Sequence, residues 1–122
     1  MAETLEITSS GSGIPLVFIH GWGFNSGIWQ PLVEQFTDLF TVITIDLPGF
    51  GKNAGKAPAD YSLEAIAAQV QTAVVRPAIY AGWSLGGLVA TEIALNEPQQ
   101  VLGLVTIASS PCFIEKADWP GI

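Results

Sequence analysis

The stretch Tyr80-Ala-Gly-Trp-Ser-Leu-Gly-Gly-Leu-Val-Ala90 constrains the fold more than any other part of the chain. A short apolar run over 78–81 passes, with no loop between, into a run over 85–96 that reads as a helix, with Asn96 near its end and Pro98 just beyond. A strand that feeds a helix directly is the building unit of a parallel sheet covered by helices. The turn between them holds one hydroxyl, Ser84, among Gly82, Gly86 and Gly87. Glycines there remove the side chains that would collide where strand and helix crowd together, and they tolerate backbone angles that other residues avoid.

The remaining chain reads in the same way. Leu5–Thr8 alternates weakly and is expected as an edge strand. Pro15–Ile19 is a continuous apolar run bounded by glycines, the pattern of a central buried strand. From Ser26 to Phe40, Ile28, Trp29, Leu32, Val33, Phe36 and Leu39 recur at three and four, which predicts one amphipathic helix with Pro31 in its first turn. Thr41–Ile45 is a second buried strand, followed by a turn-rich segment and a polar loop reaching Lys56. Ser62 to Val75 predicts a helix capped by Ser62, with Leu63, Ile66, Ala67, Val70 and Val74 on one face. Val101–Ala108 reads as a last buried strand, and Ser109–Ile122 as irregular. The expected architecture is one α/β domain with a parallel sheet.

Composition supports this. Of 122 residues, 49% are hydrophobic and only 12% charged, about half the usual charged share, as fits strands buried on both faces. Eleven acidic residues against four basic ones give a net charge of −7. Lys52, Lys56, Arg76 and Lys116 are scattered, so there is no basic stripe for nucleic acid or anionic lipid. One cysteine, Cys112, and one histidine, His20, offer neither a disulfide framework nor a zinc site. The N-terminal stretch has no basic region ahead of an apolar core, and no apolar stretch reaches membrane-spanning length, so a reducing cytoplasm is expected.

Three segments carry candidate chemistry. Gly82-Trp83-Ser84-Leu85-Gly86 fits G-x-S-x-G with a strand before and a helix after. Such a turn holds a serine hydroxyl above the C-terminal ends of the strands, where open α/β sheets bind ligands. The alternative is a helix N-cap serine beside glycines that merely ease packing; the flanking strand and helix favour the nucleophile. His20-Gly-Trp-Gly23 follows an earlier strand. Its glycine-rich backbone can turn a second N–H, that of Trp22, toward an oxyanion already served by the Leu85 N–H. His20 itself is expected to bond loop backbone rather than act as base. Trp22 and Trp83 read equally as core aromatics or as an apolar substrate wall. Asp46, before Leu-Pro-Gly, is expected as a turn former. Neither a phosphate loop nor a dinucleotide fingerprint is present.

Taken together, HGWG after one strand, DLPGFG after the next, and GWSLGG resemble the α/β-hydrolase family from about Gly13 onward. With Ala108-Ser-Ser-Pro-Cys-Phe113 and Asp118-Trp-Pro-Gly121, the details are similar to the carboxylesterases of biotin biosynthesis that demethylate pimeloyl-acyl-carrier-protein methyl ester. That resemblance implies Ser84 as nucleophile and the Trp22 and Leu85 N–H groups as oxyanion hole. It also implies contacts of Trp22, Ser84 and Leu85 with the substrate, and neither cofactor nor metal. In the family an acid and then a histidine follow the serine. Here Glu92, Glu97, Glu115 and Asp118 follow it, and no histidine does.

The expectation is therefore an N-terminal portion of a single α/β-hydrolase domain. The resemblance implies that the start of a cap falls at about 111–122, and that the basic cap surface which serves the acidic carrier protein in that family is missing here. An exposed 101–108 strand would invite self-association. Two further readings remain at this point: a non-catalytic binding module on the same fold, or another esterase, thioesterase or C–C bond hydrolase.

Overall fold

A computed structural model describes residues 4–109. The elements are β1 (Ile7–Gly11), β2 (Ile14–Ile19), α1 (Gln30–Phe36), β3 (Phe40–Ile45), α2 (Leu63–Ala73), β4 (Ala78–Trp83), α3 (Leu85–Asn96) and β5 (Val101–Ile107). The sheet order is β1-β3-β2-β4-β5. The chain steps from β2 to β3 on one side and crosses through α2 to β4 on the other, so the order reverses at β2. Open α/β sheets bind ligands at such a reversal, outside the strand C-termini.

The apolar runs at β2, β3 and β4 explain the two-sided core. Val17, Ile19, Ile45 and Tyr80 pack beneath Ile66 and Val70 of α2 and Val89 and Ile93 of α3. On the opposite face Leu16, Phe18 and Val42 meet Trp29, Leu32 and Phe36. Phe18 and Trp29 stack with ring centroids 4.7 Å apart.

Four expectations need correction. The sheet is mixed, because β1 runs antiparallel to β3 in the register Ile7↔Ile45 to Gly11↔Thr41. The strand at Leu5–Thr8 is displaced: Leu5 drops into the core, and pairing starts at Ile7 and runs through two serines, whose backbone pairs whatever the side chain. The helix over 26–40 is split. Asn25 caps the Gly27 N–H of a 3₁₀ turn at Ser26–Trp29, α1 begins at Gln30 with Pro31 in its first turn, and Phe40 belongs to β3 opposite Ile14. Leu39, placed on the apolar face by spacing, is exposed in the turn between them. Finally, the burial that its apolar run suggests fails for β5, and the exposed edge expected of this strand is what the structure shows. It is the outer strand of the sheet among the described residues, and Leu102, Leu104, Val105 and Ile107 are exposed.

The expected Ser62 cap is present. The Ser62 hydroxyl accepts the Ala65 N–H at 3.2 Å and starts α2. No helix among the described residues is long and apolar enough to cross a membrane. The expected cap start at about 111–122, with Cys112, Glu115 and Asp118, lies outside the described residues.

Candidate active site

Ser84 sits between β4 and α3 at φ 54° and ψ −116°, a conformation that ordinary residues avoid. Its neighbours leave no room for relaxation. A Cβ on Gly82 would fall onto the Gly86 carbonyl, and a Cβ on Gly86 onto the Ile19 carbonyl oxygen and within 2.6 Å of the His20 carbonyl oxygen. Glycine at 82 and 86 is therefore a condition of the turn.

The Ser84 N–H donates to the Ile107 carbonyl at 2.9 Å, tying the turn to β5. The Ser84 carbonyl accepts the Gly87 N–H at 2.9 Å and the Leu88 N–H at 3.3 Å. Ser84 occupies the N-cap position of α3, yet its side chain makes no capping bond. The capping alternative therefore does not describe it. Leu85 and Gly86 open the helix, where amide N–H groups have no intrahelical acceptor and the helix dipole favours negative charge.

The loop after β2 lies directly alongside. A Cβ on Gly21 would stand 3.3 Å from the Ser84 Cβ and 2.9 Å from the Trp83 ring. The Phe24 N–H closes onto the Gly21 carbonyl at 3.2 Å, and Gly23 takes φ 80°. Trp22 is 64% exposed, so the core-aromatic alternative fails for it. Phe50 and Tyr61 hold its ring edge-on, at centroid distances of 5.0 and 5.9 Å. Trp83 is half-buried, packs on the second core cluster, and meets Phe24 at 4.9 Å.

Sequence reasoning did not single out Phe24, Phe50 or Tyr61. Their role comes from folding: the Tyr61 hydroxyl donates to the Pro48 carbonyl at 2.6 Å, which brings the 46–51 loop against Trp22. Asn53 was also missed. It is fully buried, accepts the Glu6 N–H at 2.8 Å and donates to the Asp46 carbonyl at 2.6 Å.

His20 has the structural role expected of it. The ring is fully buried, Nδ1 lies 2.7 Å from the Gly21 carbonyl, and Nε2 lies 2.9 Å from the Leu47 N–H. These partners assign the proton to Nδ1 and occupy both nitrogens, so neither is free to serve Ser84. Asp46 is likewise structural, accepting the Ser26 N–H at 2.7 Å and the Lys52 N–H at 2.9 Å.

Burial lowers the His20 pKa below 6.5, against the opposing pulls of the Gly21 carbonyl and the Asp46 charge. For Asp46 burial pushes upward, but the Lys52 and Ser26 hydrogen bonds and the nearby His20 outweigh it, leaving the pKa below 3.8. Between pH 6.5 and the lowered His20 value the unfolded chain binds the extra proton. Stability is therefore full above pH 6.5 and falls as pH drops through the folded pKa. The Asp46 contribution has the same sign but is lost only below pH 3.8. The urea midpoint is expected to fall between about pH 7 and pH 5. In His20→Gln that fall shrinks; an equal fall in both proteins would assign the dependence elsewhere.

Comparison with known proteins agrees with this geometry. Residues 14–122 match the family described as alpha/beta hydrolase fold. The chain is 47% identical over its full 122 residues to the pimeloyl-(acyl-carrier protein) methyl ester esterase of Pseudoalteromonas atlantica, of which it covers 47%. It is 40% identical over 119 residues to the enzyme of the same name from Aeromonas salmonicida, covering 98% of this chain and 47% of that protein. Among solved structures, Est816, described as an N-acyl homoserine lactone degrading enzyme, superposes with a TM-score of 0.79 at 32% identity, over 88% of this chain and 44% of that one. The chain thus spans about half the length of the curated relatives it matches. A strand–serine–helix turn at the sheet reversal, together with these matches, establishes that the chain belongs to the α/β-hydrolase fold family.

Proposed function

We propose that this chain forms the nucleophile-bearing part of a serine carboxylesterase that hydrolyses the methyl ester of pimeloyl-acyl-carrier protein. The observation that carries the reading is Ser84: a serine in a strained strand-to-helix turn, with no capping bond, beside the 20–23 loop. The names of the relatives supply the substrate class.

In this reading the Ser84 Oγ attacks the ester carbonyl while its proton passes to a base. The N–H groups of Trp22 and Leu85 receive the oxyanion, methanol leaves with the transferred proton, and an acyl-serine forms. Water, deprotonated by the same base, then releases the free carboxylate and restores the serine. The Trp22 and Leu85 side chains touch the acyl chain. No cofactor or metal takes part. The base comes from residues outside these 122, because His20 is committed to the Gly21 and Leu47 backbone. A cytoplasmic setting, suggested by the lone cysteine, goes with this reading.

The test is a joined protein, with this chain continued at Ile122 by the C-terminal half of the Pseudoalteromonas relative. Hydrolysis of pimeloyl-acyl-carrier-protein methyl ester is the expected result. Hydrolysis of simple esters alone would favour another esterase, and a folded but inert protein would favour a binding module.

The 122-residue chain by itself is expected to self-associate through β5. That edge is long and apolar, with neither proline nor lysine to block pairing. Light scattering should show mass growing with concentration, and Val105→Lys should reduce it. A monodisperse wild-type monomer at high concentration would contradict this.

A further inference from the structure

Two described non-glycine residues have positive φ: Ser84 at 54° and Ala108 at 49°. They stand at the C-terminal ends of neighbouring strands, since β4 and β5 pair in parallel up to Trp83↔Ile107. The chain bends at Ala108, and the next side chain, Ser109, donates its hydroxyl to the Ser84 carbonyl at 2.8 Å. Ser109 also rests on α3. A Cβ added at Gly87 would stand 2.6 Å from both its Cβ and its Oγ. The third glycine of the motif thus makes room for Ser109, and helix packing alone does not account for it.

We infer that the Ser109 hydroxyl is a positioning group for the nucleophile, holding the Ser84 peptide in its strained orientation. The inference rests on the reading of Ser84 as nucleophile. A strained residue persists only where its surroundings over-determine it. Around Ser84 the Ile107 carbonyl fixes the N–H, and the Gly87 and Leu88 amides hold the carbonyl from the helix side. Ser109 is the side-chain donor to that carbonyl, and it comes from the adjacent strand exit. Both peptide groups of the turn are therefore tied to the end of β5. Loss of the hydroxyl frees the carbonyl on that side and lets the peptide rock, which moves Oγ relative to the Leu85 N–H. Small misplacements of a reacting group cost rate strongly.

Two measurements test this. In the 122-residue chain, amide exchange at Ser84 should quicken about tenfold in Ser109→Ala, while amides within the β4–β5 ladder keep their rates. In the joined protein, the limiting rate of covalent modification by a fluorophosphonate should fall about tenfold in Ser109→Ala. The half-saturating probe concentration and the pH profile should stay unchanged. Ser109→Cys keeps a weak donor of similar size and should recover part of both effects. Faster exchange with unchanged labelling would reduce Ser109 to a structural tie and overturn the inference, as would wild-type values in both measurements. Failure of the nucleophile reading looks different: labelling would then survive Ser84→Ala, and the positioning role would fall with it.

Discussion

Gly86→Ala should lower the stability of the chain by about 3 kcal/mol or more, at the upper end for overpacking. The added methyl would occupy the space of the Ile19 carbonyl oxygen and press on that of His20. Both belong to the central strand or its immediate exit, and Ile19 is paired to β3 and β4 on its two sides. Backbone held on both sides does not yield as a flexible side chain would. Relief requires α3 to lift from the sheet, which uncovers Val89 and Ile93 in the main core. Gly55→Ala is the control: nothing lies within 4 Å of its added Cβ, and its change should stay within about 0.5 kcal/mol. Urea unfolding of the two variants separates them, and a near-neutral Gly86→Ala would show that the turn is looser than described.

Ser84→Ala should remove turnover of the joined protein, by about 10⁶-fold in kcat, the scale on which a serine hydrolase loses its nucleophile. The same variant should leave the unfolding midpoint nearly unchanged. The hydroxyl caps nothing, and alanine inherits the same strained φ that serine endures. Large kinetic loss with silent stability is the signature of a group present for chemistry. A midpoint drop comparable to that of Gly86→Ala would instead give the hydroxyl a structural duty. Substrate-level hydrolysis and a parallel thermal melt suffice to distinguish them.

Much of this site was legible before the fold. The glycines at 82 and 86 announce the turn because their constraint is local: strand, serine and helix are contiguous, and the helix begins at Leu85 and ends at Asn96 as its pattern indicates. His20 could be read as structural from its place at a strand end, and its bonds to Gly21 and Leu47 follow. What escaped was set by distant partners. The Asn53 side chain bonds Glu6, 47 residues away, and Ser109 reaches back 25 residues to Ser84. The pairing of β1 is written in its register with β3 and not in its own alternation, so alternation alone starts the strand too early. One apolar spacing over 26–40 covers a 3₁₀ turn, a short helix and the first residue of a strand, so periodicity alone predicts too long a helix. Periodicity reports which side chains are apolar, whereas the breaks there are made by Asn25, Pro31 and the demand of β3 for Phe40.

Ser84 is proposed as a nucleophile whose base lies outside these 122 residues. Intact-mass analysis after fluorophosphonate treatment tests this most directly, on the chain alone and on the joined protein, with Ser84→Ala beside each. The expected result is no adduct on the chain alone, one adduct on the joined protein, and none once Ser84 is alanine. An adduct at Ser84 of the chain alone would mean that a base within the chain activates it, and labelling of the joined protein that survives Ser84→Ala would place the nucleophile elsewhere.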